Sequence, residues 1–150
     1  MDPFSSERIA RFHDNPVIRQ AKIPLVATDV ALCTLVWNEA VEEMTKIAED
    51  AVRGYPLHIV LPHILSNNAL PRLVATVMNG EASTSRHWAA YASGVYCVYE
   101  AQRRPVYDPE GRVEGAVIAV NWYRLVAPFD WLVDPKDLEI PEEGGQCGVF

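Results

Sequence analysis

The residues of this 150-residue chain best suited to metal, redox or proton-transfer chemistry are four histidines and three cysteines. Their spacing argues against most of it. His13, His58, His63 and His87 are scattered, and the step from His58 to His63 does not put two ligands on one helical face as a zinc-binding helix does. Cys33, Cys97 and Cys147 show neither C-x-x-C spacing nor an even count, which disfavours a zinc knuckle, a redox motif or a complete disulfide framework and makes a reducing cytoplasm the expected location. A glycine-rich phosphate loop, a nucleophile elbow and an acid pair of defined spacing are all missing from the sequence. Glu42-Glu43 reads as a solvated helix face rather than a general acid/base couple. No metal site or catalytic residue is expected, and if the chain were a small enzyme the base would be His87.

Charge and composition narrow the partners. Twenty Asp and Glu against 13 Lys and Arg give a formal charge of -7, and Arg103-Arg104 is the only adjacent basic pair, so neither nucleic acid nor an anionic membrane is an expected partner. Hydrophobic residues make up 49% and charged residues 22%, ordinary for a globular protein able to bury one core. The longest apolar runs fall short of the roughly eighteen residues of a spanning helix, and the N-terminus lacks the basic start and apolar stretch of a signal peptide.

The elements that must position any site are organised around residues 37–62. Asn38 is suited to cap a helix whose Ala40, Val41 and Met44 face a core, with Glu39, Glu42 and Glu43 complementing its positive end. A second short turn with Ala51 and Val52 inward leads to Gly54, Pro56 stops the helix, and Leu57, Ile59, Val60 and Leu61 form an apolar segment closed by Pro62. Before this stretch, apolar runs over 23–28 and 32–37 flank Asp29-Val30-Ala31 as in a β-hairpin.

The order Trp37-Asn38, Ala40, Met44-Thr45, Val52, Gly54, Pro56-Leu57 and Leu61-Pro62, with residues 24–29 before it, resembles the PAS sensory domain family. Lys46-Ile47 stands where the family often has Gly-Tyr, and Ala48 where a Ser or Thr cap is common. The resemblance covers residues 23–124 and implies an α+β fold, a five-stranded antiparallel sheet with helices packed on one face. Haem-binding members use a histidine on the long helix, and residues 69–79 contain none, leaving His63 as the only candidate within reach. Light-sensing flavin members carry an Asn-Cys-Arg motif near that helix, and Ser66-Asn67-Asn68 has no cysteine. The cofactor is unknown at this stage.

Further along, Leu70, Leu73, Val74, Val77 and Met78 recur at helical spacing, Ser66-Asn67-Asn68 offers a cap, and Asn79-Gly80 a left-handed end. Strands are expected over 83–91, 95–106 and 113–123, joined by Ser93-Gly94 and by a turn over 108–111. Alternation turns Val95, Cys97, Tyr99 and Ala101 inward in the second, with Glu100 and Gln102 marking solvent, and Ala116, Ile118 and Val120 inward in the third, with Val117 and Asn121 outward. Ser85, His87 and Ala89 inward, with Arg86 and Trp88 outward, is the register the family resemblance implies for the first.

Two candidate sites follow. Leu73, Val77, Met78, His87, Tyr99, Ile118 and Val120 would enclose an apolar chamber with two polar groups, suited to a small molecule. On the other face Trp88, Tyr96, Val98 and Val117 would form an apolar patch that needs a cover. The cover would be a helical cap over 1–22 carrying Ile9 and Phe12, the apolar cluster over 129–133, or a second subunit. The C-terminal extension over 125–150 is acidic and Gly/Pro-rich toward its end and reads as partly flexible. The leading expectation is a sensory or regulatory module that associates with partners, chiefly as a homodimer or with another domain of its own chain. A small-molecule or cofactor sensor is the first alternative and a small enzyme the second.

Overall fold

A computed structural model describes Phe12, Ile18, residues 21–65, 69–91 and 93–126 of the chain. Strands β1 (Leu25–Asp29) and β2 (Thr34–Trp37) pair antiparallel. Asp29 Oδ1 shapes the turn between them by accepting from the amides of Ala31 and Cys33, both at 2.9 Å. Asn38 then does two jobs with one side chain: its Oδ1 accepts from Val41 N at the start of helix α1 (Glu39–Thr45) and from Leu25 N in β1, each at 3.0 Å. The cap therefore ties the first helix to the sheet as well as satisfying a free amide.

Helix α1 ends at Lys46, whose φ of 60° lies in the left-handed region where the family's usual glycine would sit without strain. The short helix α2 (Glu49–Val52) has Ala48 at its N-cap position, with no side-chain bond from it. Glu42 takes over part of that duty: its Oε2 accepts from Glu49 N at 2.7 Å. Ala51 is exposed, contrary to the inward expectation, because so short a helix buries only the single position Val52. Residues of the next apolar segment fold as helix α3 (Leu57–Val60) and a 3-10 turn (Pro62–Leu65) that bury Leu57 and Ile64 and leave Ile59 exposed.

The long helix α4 (Ala69–Asn79) buries Ala69, Leu73, Thr76 and Val77. This corrects the sequence reading of its face. Met78 is 72% exposed and Val74 41%, so Met78 does not line the interior. The buried stripe includes a threonine, which costs little because its hydroxyl lies 3.0 Å from the Arg72 carbonyl and 2.7 Å from that of Glu81. Gly80, at φ +70°, closes the helix.

Strands β3 (Ser83–Ala90), β4 (Tyr96–Tyr107) and β5 (Val113–Leu125) complete one antiparallel sheet in the order β2-β1-β5-β4-β3. Joining the chain's first strand to its last requires β1 and β5 to approach closely at Gly115, where a Cβ would stand 1.9 Å from the Thr28 carbonyl oxygen. Helices α1 to α4 pack on one face. Val26, Trp37, Val41, Val52, Leu57, Ile64, Leu73, Val77 and Ala116 form one apolar cluster there, and Met44, Ala89, Tyr91, Cys97, Tyr99, Ala101 and Val120 its neighbour. On the opposite face Phe12 and Ile18 pack with Leu25, Ala27, Leu35 and Val36, and Val117 lies half-buried against them. Ser66, Asn67 and Asn68, the rest of the N-terminal cap including Ile9, and residues 127–150 lie outside the described residues.

Candidate functional site

The β3–β4 register builds the site. Ser83 stands opposite Arg103, Ser85 opposite Ala101, His87 opposite Tyr99 and Ala89 opposite Cys97, so alternation presents this set toward the helices. His63, on the 3-10 turn, closes over it: its Nε2 lies 2.8 Å from the Tyr99 hydroxyl, and its ring meets those of Tyr91 and Tyr99 edge-on at 5.8 and 5.7 Å. The His87 ring centroid is 5.7 Å from that of Tyr99, and Cys97 Sγ donates to the Tyr91 hydroxyl at 3.3 Å. Arg103 donates from Nε to Ser83 Oγ at 2.9 Å and from Nη2 to Ser85 Oγ at 2.6 Å, and Ser85 Oγ lies 2.5 Å from His87 Nε2.

One assignment of the protons satisfies all of these bonds. Ser85 has one hydrogen; its oxygen already accepts from Arg103, so donating to His87 Nε2 satisfies both neighbours and leaves the imidazole proton on Nδ1. His87 is fully buried, and among the described residues its Nδ1 has no hydrogen-bond partner. The site thus presents a buried donor lacking an acceptor, a group that native interiors rarely leave unmatched.

Burial dominates the electrostatics. It pushes the His63 pKa down to about 4, and with Arg103, His63 and Arg72 nearby it pushes His87 to about 3, so both imidazoles are neutral at pH 7. Desolvation raises the hydroxyls of Tyr91 and Tyr99 above their ordinary range and the Cys97 thiol to about 11, keeping all three protonated. Arg103 is lowered to about 10 by the same cause and stays charged. A histidine this weakly basic is a poor general base at neutral pH, and a thiol of this kind is a poor nucleophile. The arrangement is suited to binding.

Leu73, Val77, His87, Tyr99, Ile118 and Val120 of the expected chamber all lie between the sheet and the helices, while Met78 does not. The outer candidates are distributed differently. Trp88 is 1% exposed and Val98 fully buried within the single chain, and Phe12 is buried against β1 and β2, so these three offer no open surface to a second subunit. Tyr96 and Val117 are half-buried. Glu100, expected in solvent, is buried as the ion-pair partner of Arg86 at 3.3 Å, with the Arg86 guanidinium 5.3 Å from the Trp122 ring centre. Arg103 was missing from the candidates. Yet the alternation that turns Cys97, Tyr99 and Ala101 inward points to Arg103 next, and only its charge argues otherwise.

A curved antiparallel sheet in the order 2-1-5-4-3, with short helices and one long helix laid across a single face, is the PAS architecture. The family described as the PAS fold matches residues 20–121, and the chain belongs to that family, whose members are sensory and signalling modules. Similar solved structures include VqmA from Vibrio cholerae, 12% identical, with a TM-score of 0.58 over 83% of this chain and 52% of that one. VqmA bound to DPO is likewise 12% identical, with a TM-score of 0.59 over 81% of this chain and 58% of that one. The PAS domain of a protein from Colwellia psychrerythraea is 17% identical, with a TM-score of 0.58 over 80% of this chain and 94% of that one. This chain spans about half the length of VqmA. At these identities the likeness is one of fold. No curated protein sequence matches the chain. Among the described residues no helix is long and apolar enough to cross a membrane.

Proposed function

We propose that this chain is a ligand-sensing PAS module that holds a small molecule against the inner face of the β3–β4 hairpin. The observation that carries the reading is the fully buried His87, its Nδ1 unpartnered among the described residues, set in a cluster with Tyr99, Ser85 and Arg103 where a filled apolar core would be cheaper. A groove of about 520 Å³, lined in part by Gly80, Ser83, Arg103 and Tyr107, opens at the Arg103 end of this cluster, with His87 and Tyr99 outside its lining. VqmA, a protein of the same fold, has a structure bound to DPO, which supports the reading at the level of architecture. A ligand that binds only the folded chain raises its melting temperature. The test is a thermal-shift screen of the purified chain with small metabolites, alongside its absorption spectrum. Hits whose effect is lost in His87→Gln support the reading. A colourless preparation that no compound stabilises removes it.

Self-association is the second reading, supported by the dimeric VqmA structure. It would have to use surfaces other than Trp88 and Val98, which are buried in one chain. Light scattering across a concentration series tests it, and a monomer at the highest concentration rejects it. Catalysis by His87 is disfavoured by the weak basicity that its burial imposes.

A further inference from the structure

Among the described residues the cation in the site has no counter-ion. Arg103 is 3% exposed, and among the described residues no carboxylate pairs with it; its hydrogen-bond partners there are two neutral serine hydroxyls. Of the groups that act on it, the Tyr99 hydroxyl is neutral and Arg72 of α4, itself donating to the Thr84 carbonyl at 3.5 Å, is a second cation. The contrast with the other face is direct. Arg86, equally buried, has Glu100 as its partner and Trp122 beneath it. A buried charge left uncompensated is among the costlier features a fold can carry, and two hydroxyls hydrogen-bond the guanidinium without neutralising it.

In a chain of formal charge -7, a buried, unneutralised arginine beside a neutral imidazole whose free Nδ1–H seeks an acceptor is a complement to an anion. We propose that the sensed molecule is a small carboxylate, its charged oxygens on Arg103 and within reach of His87 Nδ1. Its body lies toward the apolar side of the cluster around Tyr99, Ala101 and Val120. The proposal rests on the ligand-sensing reading and names the class of ligand. A monovalent carboxylate matches the single buried cation and its planar fork, whereas a phosphate dianion would call for a second buried positive group, and Arg72 is half-exposed.

The experiment compares acids with their uncharged amides: benzoate against benzamide and 4-methylpentanoate against 4-methylpentanamide, by thermal shift and by calorimetry on the whole chain. The acids are expected to raise the melting temperature and the amides to leave it unchanged. Arg103→Gln is expected to weaken acid binding about thirtyfold, the usual scale for losing a buried charge partner. Because it removes an uncompensated charge, the variant's own melting temperature should stay level or rise. Arg103→Lys, which keeps the charge without the fork, should bind with intermediate strength and serves if the glutamine variant does not fold. Amides that stabilise the wild type and Arg103→Gln as well as the acids do would overturn the carboxylate class and leave ligand sensing standing. If no acid or amide binds and Arg103→Gln lowers the melting temperature, Arg103 is a strut between Ser83 and Ser85 and the inference fails.

Discussion

Histidine protonation couples the site to folding. His87 and His63 have folded-state pKa values near 3 and 4, against about 6.5 in an unfolded chain. Above pH 6.5 both states are neutral and the pair has no effect on stability. As pH falls below 6.5 the unfolded chain gains protons that the folded chain refuses, so stability drops by up to about 1.4 kcal/mol per pH unit for each histidine until its folded pKa is reached. Chemical denaturation between pH 7 and pH 4 should show this slope, and His87→Gln should flatten it; an unchanged slope in that variant would place the cause elsewhere. Two backbone positions yield opposite expectations. Lys46→Gly should stabilise the chain by about 1 kcal/mol by relieving a left-handed lysine. Gly115→Ala should destabilise it by about 3 kcal/mol or more, because the new methyl would meet the Thr28 carbonyl. Equilibrium denaturation measures both.

At the scale of elements, the five strands and the long helix are legible in the sequence because alternation and turn chemistry agree with each other. Asp108 Oδ1 accepts from Glu110 and Arg112 amides at 2.9 Å, and Gly111 has φ +82°, so residues 108–111 reverse the chain as a Pro/Gly turn should. The face of α4 is less legible. Reading only apolar residues selects Val74 and Met78, which are exposed, whereas the buried stripe passes through Thr76, whose hydroxyl is satisfied by local carbonyls. Leu73→Ala should therefore cost about 2–5 kcal/mol and Met78→Ala less than about 0.5, by denaturant titration. Arg103 escapes a sequence reading for the same reason: a polar residue on an inward position is discounted unless its partners can be seen. Those partners, Ser83 and Ser85, are twenty and eighteen residues away, and only the β3–β4 register brings them together.

For the molecule as a whole, the two sheet faces have different roles. The outer face is largely closed within one chain, by Phe12 and Ile18 over β1 and β2 and by the burial of Trp88 and Val98 on β3 and β4. Trp88→Ala should accordingly lower the melting temperature without altering the molar mass seen in light scattering; a change in mass would return Trp88 to an interface. The inner face carries the arginine without a carboxylate partner and, among the described residues, the unpartnered His87 Nδ1, whereas the outer face has unpartnered atoms at Arg86 Nη2 and Trp122 Nε1 beside a paired charge. The PAS architecture is thus the sheet that positions the inner groups, and the particular choice of serine, histidine, tyrosine and arginine is what this chain adds to it.

The central claim is that a small molecule binds at the inner face of the β3–β4 hairpin. An amide-resolved NMR titration of the isotope-labelled chain with benzoate tests it most directly. Saturable shifts gathered at Ser85, His87, Tyr99, Ala101 and Arg103, and absent from β2 and α2, are the predicted result. Shifts confined to the outer face around Arg86 and Trp122, with the inner set unmoved, would contradict it.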